Sequence, residues 1–144
     1  MISIKDLSFT YEDKAKPILD GISLDIAEGE YLAVIGPNGC GKTTLIKLLN
    51  ALLVPTGGAV EVDGLDSRDR RSVTEIRRRV GMVFQNPDNQ IVGMTVEEDI
   101  AFGPGNLGLK PDVIRDRVES SLRLVGLGEK RDRAPYTLSG GEKR

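Results

Sequence analysis

Apolar and polar side chains alternate along the first residues of the chain, as a half-buried β-strand requires. The apolar positions within residues 2–11 are Ile2, Ile4, Leu7, Phe9 and Tyr11. The alternation slips by one residue at Asp6, which predicts a β-bulge. Residues 18–26 alternate less regularly and lead into a turn at residues 28–30. The first part of the chain is therefore predicted to form a small antiparallel sheet.

Two short runs of consecutive apolar residues have the pattern of strands that are buried on both faces of a parallel sheet. They cover residues 31–35 and 80–84. Between them, apolar residues at helical spacing predict a helix over residues 43–53, which the Pro- and Gly-containing residues 55–58 end. Residues 59–62 predict another short strand. This order of elements indicates an α/β fold.

The remainder of the chain has the pattern of helices. Thr95 and Glu98 have the spacing of a capping box, so we expect a helix to begin there and Pro104 to end it. A second helix is predicted from Pro111, a favourable first-turn residue, to the glycines at positions 126 and 128.

Composition and charge exclude several function classes. The 144 residues include 20 Lys and Arg against 22 Asp and Glu, so the formal charge is −2 and any anion must be bound locally. With Cys40 as the single cysteine and no histidine, an internal disulfide, a Cys/His zinc site and a histidine base are excluded. A helix rich in arginine is predicted over residues 67–79, but acidic residues are interleaved there and no aromatic residue accompanies the arginines. We therefore expect a solvated helix face and no nucleic-acid partner.

The N-terminus lacks the pattern of a secretory leader, and no run approaches the ~18 apolar residues that span a bilayer. These features predict a soluble protein in the cytoplasm.

A glycine-rich segment between the first apolar run and the helix gives the strongest chemical signal. It matches G-x-x-x-x-G-K-[ST] and comprises Gly36, Pro37, Asn38, Gly39, Cys40, Gly41, Lys42 and Thr43, with Thr44 next to it as a further nucleotide-binding residue. Glycines allow successive N–H groups to turn toward an oxyanion, and the helix N-terminus favours negative charge. Lys42 would reach the outer phosphates of a nucleotide, and Thr43 would hold Mg²⁺. Cys40 is interpreted as a reactive thiol or simply as a small loop residue.

A second glycine cluster follows near the end of the chain and comprises Leu138, Ser139, Gly140, Gly141 and Glu142. Taken alone, Ser139 and Glu142 form a capping box. Together with the first motif, the cluster resembles the signature sequence of ATP-binding-cassette (ABC) proteins. The resemblance implies that residues 139–142 contact the terminal phosphate of ATP. Glu142 replaces the more usual Gln, which favours a capping role for its carboxylate.

The resemblance covers all 144 residues and implies a P-loop NTPase (RecA-like) core. Residues 1–85 would form an antiparallel β subdomain plus the P-loop part of the core, and residues 86–144 a helical subdomain that ends at the signature. The family's catalytic strand ending in Asp-Glu and its switch histidine do not occur in this sequence. We therefore expect a fragment of a longer ATPase, truncated before that strand and inactive alone.

Two further residues take roles from the resemblance. Gln85, at the end of the second apolar run, matches the glutamine that coordinates Mg²⁺ and the attacking water. Tyr11 matches the aromatic residue that stacks on adenine. Core packing is the alternative for Tyr11, and Phe9 is the one neighbour that could replace it.

Residues 85–90, 95–103 and 106–109 resemble the ATPase subunits of energy-coupling-factor importers, including the cobalt type. That resemblance implies import of cobalt, nickel or a vitamin, a second ATPase subunit, and a transmembrane coupling protein at the inner face of the membrane. A non-catalytic nucleotide-binding adaptor is the alternative. A small kinase or GTPase is disfavoured, because no acceptor site or Asn-Lys-x-Asp motif is present.

Overall fold

The computed structural model describes residues 1–143 and contains a four-stranded antiparallel sheet in the order β2-β1-β3-β4. The strands are β1 (Ile2–Phe9), β2 (Leu19–Ile26), β3 (Gly57–Val62) and β4 (Leu65–Asp66). The predicted antiparallel pairing of the first two strands is confirmed, with Ile2 opposite Ile26 and Phe9 opposite Leu19. The strand predicted at residues 59–62 pairs with β1 on its other side.

The predicted bulge at Asp6 is confirmed. Asp6 has a positive φ of 46°, and the register between β1 and β2 shifts between Ile4 and Leu7. On the other side of β1, a Cβ on Gly58 would lie 2.2 Å from the Asp6 carbonyl oxygen. Because no side chain fits there, the bulge requires glycine at position 58.

Helix α1 (Lys42–Leu49) packs its apolar side chains against the sheet. The shared core contains Ile4, Leu7, Phe9, Leu19, Leu45, Leu48, Leu49 and Val60. The helix ends four residues earlier than the predicted residue 53, because Ala51 adopts a left-handed φ of 55° that a helix cannot include.

Helix α2 (Val73–Arg79) is shorter than the arginine-rich helix predicted over residues 67–79. Before it, the Asp66 carboxylate accepts the Arg68 N–H at 2.8 Å and the Asp69 carboxylate accepts the Arg71 N–H at 3.0 Å. These Asx turns satisfy the backbone locally, and short acidic side chains compete with helix formation in this way. The same two arginines pair with the two aspartates, as expected for a solvated surface.

The two apolar runs predicted as buried parallel strands are not strands in the structure, and that prediction is wrong for the described residues. Residues 31–35 and 80–84 form no strand and pair with no strand within residues 1–143. Tyr31 is 98% exposed and Ile35 is 91% exposed, so the first run is not buried either. A strand is defined by hydrogen bonds to a neighbour, and hydrophobic pattern alone does not supply that neighbour.

The chain divides into two compact units, Met1–Met82 and a second unit that begins at Val83. The second unit contains α3 (Val96–Asn106) and α4 (Pro111–Leu124), together with short 3₁₀ turns at Pro87–Asn89, Gly128–Lys130 and Pro135–Thr137. Its core comprises Val96, Val118, Leu122, Leu127 and Leu138. Among the described residues, no helix has the length and apolar content needed to cross a membrane.

The predicted capping box at the start of α3 is confirmed. The Glu98 N–H donates to the Thr95 hydroxyl at 3.2 Å, and the Thr95 N–H donates to the Glu98 carboxylate at 3.2 Å. The predicted termination at Pro104 is wrong, since this residue lies inside the helix. Pro104 lacks a backbone N–H, so the helix loses one hydrogen bond there. Later residues still form helical bonds, since the Leu107 N–H donates to the Gly103 carbonyl at 3.2 Å.

Candidate functional site: a phosphate loop and a signature turn

The glycine-rich loop reaches α1 through two residues in left-handed conformations, Gly39 with φ 80° and Gly41 with φ 97°. Gly41 is the N-cap of α1 and is buried against the start of β2. A Cβ at this position would lie 2.7 Å from Leu19 Cδ2 and 3.1 Å from the Ile18 carbonyl oxygen. Glycine therefore gives the loop both its turn and its close contact with the sheet.

The Lys42 side chain folds back over the loop that precedes it. Its Nζ donates to the carbonyl oxygens of Gly36 at 2.8 Å and Pro37 at 2.7 Å, and lies 3.8 Å from the Cys40 sulfur. The ammonium group thus lies against the first residues of the loop, and its positive charge would attract an anion there. Cys40 is exposed, and its sulfur lies near Gly36, where an added Cβ would be 2.8 Å away.

Most backbone N–H groups of this segment lack a well-aligned acceptor within residues 1–143. Residues 38–39 form a turn, but across residues 36–44 no backbone N–H makes a well-aligned hydrogen bond to a described residue, and Pro37 has no N–H. Unpaired N–H groups at a helix N-terminus, next to a lysine ammonium, are the arrangement that binds phosphate oxygens. Thr43 is exposed in the first turn of α1 and offers a hydroxyl oxygen beside them.

Tyr11 lies just beyond β1 and connects the sheet to α1. Its hydroxyl is 3.1 Å from the Thr44 hydroxyl, and its ring lies edge-on to Phe9 with centroids 4.8 Å apart. Tyr11 is partly buried against the core, while Phe9 is only 6% exposed. Phe9 therefore has no free face for a base, whereas Tyr11 combines a packing role with an accessible part of its ring.

Gln85 lies in the second unit, at a bend that local side chains fasten. The Gln90 amide nitrogen donates to the carbonyls of Phe84 at 3.2 Å and Asn86 at 3.3 Å, on either side of Gln85. The Asn86 side chain accepts the Asp88 N–H at 3.1 Å and caps the 3₁₀ turn. The backbone around Gln85 is therefore held without a neighbouring strand.

The signature segment forms the reciprocal bonds of a capping box. The Ser139 N–H donates to the Glu142 carboxylate at 2.9 Å, and the Glu142 N–H faces the Ser139 hydroxyl at 3.4 Å. Lys130 also pairs with this carboxylate, and its ammonium group is the main reason that the pKa of Glu142 falls to about 2. Gly140 and Gly141 are exposed between the two capping residues.

Pattern reasoning missed the partners that fasten this turn. Lys143, whose side chain is 14% exposed, donates to the Asp88 carboxylate at 2.8 Å across 55 positions of sequence. Lys130 and Glu142 are 12 positions apart, and no local spacing relates a surface lysine to a carboxylate at that separation. Opposite charges at matched positions in related sequences would be the signal that could reveal such pairs.

Comparison with known proteins decides the family. A family model described as ABC transporter matches residues 19–144. The chain belongs to the ABC transporter family. The ABC ATPase fold and the resemblance to ATP-binding subunits of energy-coupling-factor and cobalt transporters, both predicted from the motifs, are therefore confirmed.

Two curated relatives of this ABC protein match along its whole length. The chain is 66% identical over 144 residues to the cobalt import ATP-binding protein CbiO of Syntrophus aciditrophicus (strain SB), covering 51% of that relative. It is 51% identical over 148 aligned residues to the energy-coupling factor transporter ATP-binding protein EcfA1 of Clostridium perfringens (strain ATCC 13124), covering 53% of it. The chain thus spans about half the length of the curated relatives it matches.

Among solved structures, cbiO1 from Clostridium perfringens, described as part of the ABC transporter complex cbiONQ, superposes with a TM-score of 0.84. The sequence identity is 35%, and the match covers 99% of this chain and 57% of cbiO1. This likeness extends over both units of the ABC chain.

Proposed function

We propose that residues 36–44 bind the triphosphate of ATP and that the chain is the nucleotide-binding part of an importer ATPase subunit. The observation that supports this most directly is the run of unpaired N–H groups beside the Lys42 ammonium. In water such groups are solvated, and a phosphate oxygen can replace several water molecules at once with charge-assisted hydrogen bonds. Membership of the ABC transporter family supports ATP as the ligand.

Each site residue then has a specific task in this proposal. Lys42 moves from the loop carbonyls to the outer phosphates, and Tyr11 offers its ring to adenine. The hydroxyl of Thr43 and the side-chain oxygen of Gln85 are hard ligands suited to Mg²⁺. Bound Mg²⁺ would supply charge neutralisation on the phosphates. Residues 139–142 meet the terminal phosphate of an ATP held by a second ATPase subunit.

The parent protein is proposed to energise import through a membrane partner. Two ATPase subunits close around ATP, and a transmembrane coupling protein at the inner face of the cell membrane responds to that closure. A cobalt or nickel ion or a vitamin is the proposed cargo. The names of the relatives, a cobalt import subunit and an energy-coupling factor subunit, support this class of transporter. A cytoplasmic, peripheral location follows from the same proposal.

The 144-residue chain is proposed to bind ATP without turning it over, because its sequence contains no histidine and no Asp-Glu pair. The alternative function, a non-catalytic nucleotide-binding adaptor, uses the same loop. Phosphate release by a longer form of the protein that contains these residues would distinguish the ATPase subunit from the adaptor.

Calorimetric titration of the chain with ATP and MgCl₂ tests the binding site itself. Replacing Lys42 by Ala removes the one ammonium on the loop and is expected to weaken binding by about 10- to 100-fold, the range of a charge-assisted contact. Lys47→Ala is the matched control, since it removes the same side chain from the last turn of the same helix. Equal affinities for wild type and Lys42→Ala would refute the phosphate-site proposal.

A further inference from the structure

The hydroxyl groups of Tyr11 and Thr44 contact each other, and this contact bears on which ligands the chain prefers. The inference drawn from it rests on the proposed nucleotide site. Thr44 is 6% exposed and lies two residues after Lys42 in the first turn of α1. Its hydroxyl is 3.1 Å from that of Tyr11, and these residues are 33 positions apart in sequence. A ring beyond the end of β1 is therefore tied to the helix that begins at the phosphate loop.

A second contact fixes the same two parts of the first unit relative to each other. Gly41 packs closely against Ile18 and Leu19, since an added Cβ would lie 2.7 Å from Leu19 Cδ2 and 3.1 Å from the Ile18 carbonyl oxygen. Ile18 in turn donates its N–H to the Phe9 carbonyl at 2.8 Å, two residues before Tyr11. The sheet end that carries Tyr11 and the loop that carries Lys42 are thus fastened at two independent points.

The Tyr11 ring is only partly buried, and the hydroxyl contact adds a second restraint to its packing. Contact with Phe9 and the sheet core holds one side of the ring, with ring planes at 89°. The hydroxyl at the other end of the side chain is held by the hydrogen bond to buried Thr44. Without that bond, the ring must be ordered when a ligand arrives, and this ordering weakens binding.

We propose that Thr44 is a positioning residue that holds the Tyr11 ring at a fixed place relative to the phosphate loop. The pair thereby favours ligands that carry both an aromatic base and a polyphosphate, that is, nucleoside triphosphates over inorganic polyphosphates. The hydroxyl pair contributes to recognition of the base, while Lys42 and the loop N–H groups bind phosphate in either kind of ligand.

The test compares two ligands, ATP and inorganic tripolyphosphate, each titrated with MgCl₂ into the same chain. Tyr11→Phe keeps the ring and removes the hydroxyl, and is expected to weaken ATP binding by about three- to tenfold, as the loss of a pre-ordered side chain predicts. Its affinity for tripolyphosphate is expected to stay within about twofold of wild type, since no phosphate contact is removed. Tyr31→Phe, on a residue that is 98% exposed, is the matched control for losing a phenol hydroxyl.

The role of the Thr44 hydroxyl is tested with Thr44→Val and Thr44→Ser. Valine removes the hydroxyl, so the ratio of ATP to tripolyphosphate affinity falls as it does in Tyr11→Phe, and combining both substitutions lowers the ratio no further. Serine keeps a hydroxyl and is expected to restore the wild-type ratio.

Three results would overturn the inference, and they separate it from the proposal on which it rests. If Tyr11→Phe binds ATP like wild type while Tyr11→Ala loses affinity, the Tyr11 ring contacts the base but the hydrogen bond to Thr44 has no role. Equal weakening of ATP and tripolyphosphate by Tyr11→Phe would show that the bond stabilises the phosphate loop instead. If the wild-type chain binds ATP no more tightly than tripolyphosphate, Tyr11 does not contribute to base binding and the inference fails, while the proposed phosphate site remains.

Discussion

Replacing Gly41 by Ala tests whether the phosphate loop depends on its contact with the sheet. Two separable penalties are expected. The left-handed φ of 97° costs an alanine about 1–2 kcal/mol. The new methyl group would lie 2.7 Å from Leu19 Cδ2 and 3.1 Å from the Ile18 carbonyl oxygen, and overpacking of this kind costs about 1–3 kcal/mol more.

Gly39→Ala isolates the second penalty. Gly39 has a comparable φ of 80°, but a Cβ there meets no atom within 4 Å. Both variants should be destabilised by the strain of an alanine at positive φ. Because only Gly41→Ala also overpacks the contact with the sheet, its free energy of unfolding should be lower than that of Gly39→Ala by about 1–3 kcal/mol.

Urea unfolding of both variants, followed by circular dichroism, measures this difference directly. Titration with ATP then shows whether the displaced loop also loses affinity, as we expect for Gly41→Ala. Coincident unfolding curves for the two alanine variants would refute the reasoning, because they would show that the contact with residues 18 and 19 does not constrain the loop.

The remaining predictions concern the sheet and the signature turn. Gly58→Ala should destabilise the first unit by more than Gly64→Ala, since both have positive φ but only the former would place a Cβ 2.2 Å from a backbone oxygen; urea midpoints compare them. The Glu142 carboxylate, with its pKa lowered from 4.5 to about 2, stabilises the folded state above pH 4.5 and loses this contribution as pH falls toward 2. Midpoints measured across that range should therefore fall less steeply in Glu142→Gln than in wild type, and parallel curves would contradict this assignment. Asp88→Asn and Lys143→Met should each destabilise the second unit, with the double variant losing less than the sum; strict additivity would show that the pair is not coupled.

Local signals in the sequence predicted much of the structure. The bulge at Asp6, the capping box at Thr95 and the phosphate loop before α1 each depend on residues within a few positions of one another. In each case the physical cause is short-range: an interrupted alternation, a side chain that reaches a nearby N–H, or glycines with positive φ. The reciprocal bonds between Ser139 and Glu142 belong to the same class.

Contacts between distant residues could not be predicted in this way. The runs at residues 31–35 and 80–84 have the composition of buried strands, but burial and pairing depend on neighbours that a local pattern does not specify. The Tyr11–Thr44 bond and the Asp88–Lys143 pair also join residues that only the folded chain brings together. Pro104 shows that a local signal can also mislead. Proline usually ends a helix, but here it lies inside one, near the end of α3, where its missing N–H removes a single hydrogen bond.

The exposed run at residues 31–35 also has a consequence for how this 144-residue chain behaves at high concentration. This segment is uncharged, contains no glycine or proline, and among residues 1–143 its backbone has no hydrogen-bond partner. Such segments act as templates on which identical copies can stack into intermolecular β-structure. Self-association of the chain should therefore begin at this run, directly before the glycine-rich loop.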